Sequence, residues 1–338
     1  MWASSNMKQI KCILLVLTAM LFVGCEVDFS PNAEWKEVPV VYCVLDQDDD
    51  TTWVRIEKCY MSEGDFRQYG TVSDSINYPE GALQVTLLAI NNTGVVDSMD
   101  FTYTLRNSNE GCFVSGAQPV YFCYTKDRLR DDCYYALVIR RTADNSVLAS
   151  ASTYLIVSKT HESWTVIEPN DNLPFGFWTK KYCNIVWRAY DNARLYQPIV
   201  RFYYKYKYLD NDLHYIDLPC NQRLSTGMAE TFTVQYHRDA FLKAVGDYFA
   251  DDTNTKVYPM LFDIYINMCN EPLYAYMQSV STANYLDRGV EVYTNINGGL
   301  GVFGSRRTHV YRQVPGDDDD RDVGVRALLK SLGVGFCY

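Results

Sequence analysis

The chain has 338 residues with 31 basic and 41 acidic side chains, a formal charge of -10 that argues against nucleic-acid binding and a length sufficient for about two ordinary domains. Hydrophobic residues make up 48% and charged residues 21%, proportions that exclude a disordered chain and a bundle of membrane spans. The 28 tyrosines predict a mainly β protein, because aromatic side chains favour the half-buried surface of a sheet.

At the amino terminus Lys8 and Lys11 precede an uncharged run, residues 12–23, which ends at Gly24 and Cys25. A membrane span would need about 20 apolar residues, so this segment reads as an export signal rather than a transmembrane helix. Leu21-Phe22-Val23-Gly24-Cys25 resembles the bacterial lipobox, with Phe22 in the place where leucine is commoner. Residues 1–24 are therefore expected to be a lipoprotein signal peptide, with translation starting at Met7, cleavage between Gly24 and Cys25, and the Cys25 thiol acylated. Acyl chains on Cys25 would hold the mature protein at a lipid bilayer, and Glu26 and Asp28 follow as a short acidic stretch. Nine cysteines remain besides Cys12 and Cys25, an odd number with no C-x-x-C among them, and they read as scattered core thiols, with one or two disulfides as the alternative, rather than a metal cluster.

After a tether at 25–36, residues 38–45 and 52–60 read as strands joined by the acidic stretch Asp46-Gln47-Asp48-Asp49-Asp50. Further strands are expected at 82–91, 99–105, 119–125, 133–141 and 147–158, separated by polar turns, so that 37–160 forms an N-terminal β-sandwich of immunoglobulin or fibronectin-like type. A boundary falls just before or within residues 168–174, rich in proline and polar side chains, and a second β-rich domain with helices follows over 161–315. Its strands include 182–189 and 199–209, where Phe202, Tyr204, Tyr206 and Tyr208 share one face, and a strand in which Phe262, Ile264, Ile266 and Met268 alternate with polar residues. Helices are expected at 239–250, with Phe241, Val245, Tyr248 and Phe249 on one side, and at 271–283, with Asn270 as cap and Pro272 in the first turn. Residues 316–338 read as an acidic loop and a C-terminal helix. The fold class is thus mainly β, two β-sandwich domains with two or three helices in the second.

No residue set in the chain specifies a reaction, a ligand or a cofactor. Asp46, Asp48, Asp50 and Glu57 fit positions 1, 3, 5 and 12 of a calcium loop, but Thr51 stands where that loop needs glycine, and strands flank it where helices belong. Gly299-Leu300-Gly301-Val302-Phe303-Gly304 matches G-x-G-x-x-G, yet Ser305-Arg306-Arg307 follows instead of an apolar helix, so a structural glycine loop is expected. His161, His214, His237 and His309 are far apart and form no metal or catalytic motif. The alternating Tyr/Phe strand could serve as an aromatic platform, but its period of two assigns one row to the core. Asp50-Thr51-Thr52, Asp74-Ser75-Ile76 and Asp97-Ser98-Met99 resemble the acceptor tripeptide for O-glycosylation of exported Bacteroidota proteins, which marks Thr51, Ser75 and Ser98, all expected in turns or loops.

The stretch from Tyr293 to Gly304, with Asn295, Gly298, Gly299, Gly301, Phe303 and Gly304, resembles the C-terminal signature of a Bacteroidota lipoprotein family, domain of unknown function 4249. Asn184-Ile185-Val186-Trp187 and Ile199-Val200-Arg201-Phe202 resemble its middle strands, and Pro39-Val40-Val41-Tyr42 with Trp53-Val54-Arg55-Ile56 its opening hairpin. Arg306 and Arg307 depart from its pattern. The resemblance implies an outer-membrane lipoprotein that accompanies a TonB-dependent outer-membrane barrel, and it implies no catalytic residue. The competing expectation is a fimbrillin-like pilus subunit or adhesin. Such a subunit would offer an alternating apolar strand for exchange, whereas residues 325–333 have helical spacing.

Overall fold

The computed structural model describes residues 37–59, 76–108, 116–158, 165–168, 182–206, 211–226, 230–250, 258–286 and 292–313. The chain is mainly β, arranged in several sheets, with two helices among the described residues. In chain order the strands are β1 (Pro39–Asp46), β2 (Thr51–Lys58), β3 (Leu83–Asn91), β4 (Gly94–Asp100), β5 (Thr102–Ser108), β6 (Gly116–Tyr124), β7 (Tyr134–Arg141) and β8 (Val147–Tyr154). Then come β9 (Thr165–Glu168), β10 (Tyr182–Arg188), β11 (Ala193–Lys205), β12 (His214–Pro219), β13 (Arg223–Leu224) and β14 (Thr231–His237). Helix α1 (Arg238–Tyr248), β15 (Tyr258–Asn270), helix α2 (Glu271–Leu286) and β16 (Leu300–Gln313) complete the series.

A nine-stranded sheet in the order β12-β11-β15-β16-β1-β2-β6-β5, with β13 beside β11, runs through both halves of the chain. The four-stranded sheet β4-β3-β7-β8 and the three-stranded sheet β14-β10-β9 supply the facing layers. Alternation puts Val41, Cys43 and Leu45 of β1 and Val54 and Ile56 of β2 in one core with Val85, Leu87, Leu137 and Ile139. A second core gathers Val200, Phe202, Ile264 and Ile266 with Ile185, Trp187, Phe232 and Val234, and Phe241 and Val245 of α1 close it. Burying each such side chain contributes roughly 1.5–3 kcal/mol, so the apolar alternation is the main source of stability. The boundary expected near residue 160 divides neither the cores nor the sheets: Ile156 packs in the second core, Ile296 in the first, and the large sheet runs across it. Phe303 of β16 belongs to the first core, while Ile266 and Met268 of its neighbour β15 belong to the second.

Three local differences from expectation have physical causes. The strand expected over 99–105 is two strands in different sheets: Phe101 turns into the first core, 9% exposed, and the chain crosses from β4 to β5 around it. β11 begins at Ala193 rather than 199, because its first part pairs with β15 and with β13 through a bulge. In α1, Phe241 and Val245 are buried as expected, but Tyr248 is 56% exposed and only Phe249 beyond the helix reaches the core. The helix expected in 316–338 lies outside the described residues.

β1 and β16 pair in parallel, from Val40 opposite Leu300 to Asp46 opposite Arg306. Gly301 makes the pairing feasible: it has φ 105°, and a Cβ there would collide with the Val41 carbonyl. Substitution Gly301→Ala is expected to destabilise the protein by about 3 kcal/mol or more, through both backbone strain and the clash. Gly94→Ala, at φ 118° but facing open space, should cost about 1–2 kcal/mol. Denaturant midpoints of the two variants against the parent check the difference.

Candidate functional site

The glycine block is filled by protein rather than shaped for a ligand. Asn295 acts as a one-residue strand: its Oδ1 accepts from the Phe303 N–H at 2.9 Å and its Nδ2 donates to the Phe303 carbonyl at 2.8 Å. Asn297 exchanges two backbone hydrogen bonds with Ser150 of β8, at 2.7 and 3.0 Å, which ties the block to the facing sheet. A side chain at Gly298 would come within 2.8 Å of the Leu148 carbonyl, and one at Gly299 within 2.5 Å of the Pro39 carbonyl. At Gly304 it would meet the Leu273 Cβ of α2 at 2.8 Å. At Gly299, Gly301 and Gly304, the glycines that a nucleotide fold would keep clear for phosphate, the space is occupied here by β1 and α2.

Asn270, at the junction of β15 and α2, caps the helix as its sequence position predicts and does more. Its Oδ1 accepts from the Leu273 N–H at 3.3 Å and from the Ser305 N–H of β16 at 3.1 Å. Its Nδ2 donates to the Thr153 hydroxyl at 2.7 Å and the Tyr154 carbonyl at 3.3 Å, both of β8. Ser305 donates to that carbonyl too, at 2.7 Å. With Asn270, Thr153 and Ser305 all buried, these bonds are shielded from water and join strands of two sheets to a helix.

The acidic turn is tied to basic side chains and backbone. Asp46 pairs with Arg306 at 2.6 Å, Asp48 accepts from the Thr308 N–H at 3.0 Å, Asp50 pairs with Lys126 at 3.1 Å, and Glu57 pairs with Arg55. Arg307 donates to the Ile156 carbonyl at 2.9 Å, so Arg306 and Arg307 are both engaged within the molecule. Among the described residues no three His, Cys, Asp or Glu side chains are placed to hold a metal ion. The run Asp317 to Asp320 and His161 lie outside the described residues, as do Gly24, Cys25 and Ser75. Thr51 is the first residue of β2, and Ser98 lies within β4 instead of a turn, because Met99 points into the core and leaves Ser98 exposed on an edge strand.

The described histidines stand apart. His214 packs between Tyr204 and Tyr206, with ring centres at 5.6 and 4.8 Å, and His237 lies beside Tyr182. His309 lies beside Tyr190, and burial, reinforced by Arg307 and opposed by Asp48, holds its pKa below the usual imidazole value. Cys43, Cys59, Cys123, Cys133, Cys220 and Cys269 are unpaired. Burial pushes Cys220 up to about 12 and Cys269 to about 11, which keeps them as neutral thiols.

Alternation in β11 sends Phe202 and Tyr204 into the core and Arg201 and Tyr203 to the other face of the large sheet. There the Arg201 guanidinium grips Asp217 of β12 through two bonds of 2.6 and 2.8 Å and lies between the rings of Tyr215 and Tyr265, at 4.0 and 4.4 Å. Tyr203 and Tyr265 share a hydroxyl contact of 3.0 Å, and burial, then that contact, raises the Tyr203 phenol to about 12. Asp217, Arg201, Asp263 and Arg312 occupy matching positions on β12, β11, β15 and β16, a row of alternating charge. This cluster helps lock strand register, since slipping one residue would turn these charged side chains towards the core and set Arg201 against apolar residues such as Ile216 and Ile264. Sequence alternation marks the outward positions but not their partners, which come from strands distant in the chain.

No family model matches the chain, and no curated protein matches it. A solved structure titled "Cytokine receptor complex - Crystal form 1A" aligns over 83% of this chain and 98% of that one, with 8% identity and a TM-score of 0.22. A likeness at that level supports no statement about fold or function.

Replacing Asn270 by alanine leaves two buried N–H groups without their acceptor and is expected to cost about 2–4 kcal/mol, read from thermal or denaturant unfolding. The depressed His309 contributes stability that is complete above the ordinary imidazole pKa of about 6.5 and is lost as pH falls through its lower folded value. Melting temperatures measured from pH 8 to 5 should therefore fall, and less steeply in a His309→Gln variant.

Proposed function

We propose that this protein is an outer-membrane lipoprotein, held at the bilayer through acylated Cys25, that acts as an accessory binding subunit of a TonB-dependent nutrient transporter. The observation that carries this reading is the end of the export signal, where the uncharged run stops at Gly24 and Cys25. Several acyl chains, each buried methylene contributing about 0.8 kcal/mol, give stable anchoring where one chain would not. The resemblance of the Tyr293 to Gly304 block and the opening hairpin to a lipoprotein family supports the address and the barrel partner. Exposed aromatic side chains on the sheet, such as Tyr124, support a binding role, since Tyr and Trp are among the side chains that dominate recognition surfaces.

Two measurements test the reading. Cys25→Ser should abolish palmitate labelling and move the protein from the membrane fraction to the soluble one, and unchanged labelling would remove the anchor. Tagged parent protein purified in mild detergent should bring down a β-barrel of the outer membrane. Recovery of the lipidated protein alone would remove the transporter role while leaving the anchor intact.

A further inference from the structure

The sheet β4-β3-β7-β8 has two edges, and the chain closes them by different means. The β8 edge is covered by backbone and buried polar groups: Asn297 exchanges two backbone bonds with Ser150, and the Tyr154 carbonyl accepts from Asn270 and Ser305. At β4, among the described residues, the closure is made by one pair of side chains. Arg128 Nε and Nη2 donate to the two carboxylate oxygens of Asp97, at 3.0 and 2.7 Å. The same Nη2 donates to the Ser98 carbonyl at 3.3 Å, and Asp97 Oδ1 accepts from the Ser98 N–H at 2.8 Å. In antiparallel pairing the N–H and C=O of one residue point to the same side, so both groups of Ser98 face away from β3. They are the groups that an added strand would use.

The guanidinium is brought there from another element. Arg128 sits in the turn after β6, where its N–H donates to the Thr125 carbonyl at 3.0 Å, and the Thr125 and Lys126 N–H groups donate to the Asp50 carbonyl at 3.0 and 3.2 Å. The buried Thr52 and Thr125 hydroxyls meet at 2.9 Å, which fixes the turn to β2. The arginine thus reaches β4 from the facing sheet, on a support held by bonds other than the ion pair. Pairs as exposed as this one, 41% for Arg128 and 31% for Asp97, contribute little to folding stability. Their position gives a better reason for the geometry. Ser98 lies near the middle of a seven-residue strand, and Val96 bulges from the ladder where Ala89 pairs with Asp97 and Ile90 with Val95. Bulges and charges at an edge are what keep exposed strands from joining other sheets. Val95 and Val96, 58% and 39% exposed, would add apolar contact to such a union if it formed.

We propose that the Asp97–Arg128 pair is a guard that keeps the β4 edge from pairing with β4 of a second copy of this chain. A second copy is the occupant excluded, because an edge strand can pair with its own equivalent, antiparallel across a twofold axis, without further complementarity. The guard is independent of the anchor and of the transporter role. Both side chains must be removed to test it, since either alone leaves a charge at the edge. The test is sedimentation velocity of the detergent-solubilised full chain over an about hundredfold range of concentration at physiological salt. The parent should remain monomeric throughout. The double variant Asp97→Ala, Arg128→Ala should self-associate, with an apparent dimer dissociation constant about tenfold or more below any shown by the parent. Adding Ser98→Pro, which removes the outward N–H and leaves the ladder to β3 intact, should return the monomer. That proline also separates strand pairing from loss of folding, since a misfolded chain would aggregate with or without it. A double variant as monomeric as the parent, association undiminished by Ser98→Pro, or a parent already dimeric and dissociated by Ser98→Pro would each overturn the guard.

Discussion

The parallel contact between β1 and β16 is the constraint on which the rest of the architecture depends. It places the first strand of the body beside the last described one, in the middle of the nine-stranded sheet, and so makes one sheet out of two cores. Parallel pairing cannot be closed by a short turn and needs a long intervening connection, here nearly the whole protein. Its fit depends on backbone approach at Gly301, and α2 packs over Gly304 a few residues on. The polar junction at Asn270 then fixes the helix and β16 against β8, so that the two facing layers share one reference point.

Much of this was legible from residue order. The period of two in β11 and β15 identified rows in which Phe202, Tyr204, Phe262, Ile264, Ile266 and Met268 are buried, while Tyr206 is half-buried and Tyr208 lies outside the described residues, and Asn270 with Pro272 marked the start of α2. The context of the G-x-G-x-x-G match argues for a structural loop, but nothing local reveals that Pro39, Val41 and Leu273 are what its glycines make room for. What stayed hidden is what depends on pairing between distant segments. Arg201 finds Asp217 and Tyr265 because three strands align, and Arg306 finds Asp46 because β1 and β16 pair. The crossing at Phe101 was missed for a related reason: a run of strand-forming residues looks continuous whether or not it changes sheets.

The two faces of the large sheet divide the work. Its inner face carries the side chains of both cores. Its outer face is a series of specific contacts: the Arg201 register lock, Tyr276 of α2 against Tyr42, and the rings of Trp53, Phe122 and Tyr124 on β2 and β6. Groups in the first two have met their partners within the chain, whereas Tyr124 remains mostly open to solvent.

The separation of Asp46 from Arg306 by 260 positions has a consequence for biogenesis. β1 pairs with β2 early, but acquires its second neighbour only once synthesis has reached β16. Until then one rim of β1 offers unsatisfied amide and carbonyl groups to any passing strand, an invitation to misassembly. A chaperone that covered that rim until β16 arrives would suppress such pairing, the more so because pairing at so long a separation along the chain is slow to form.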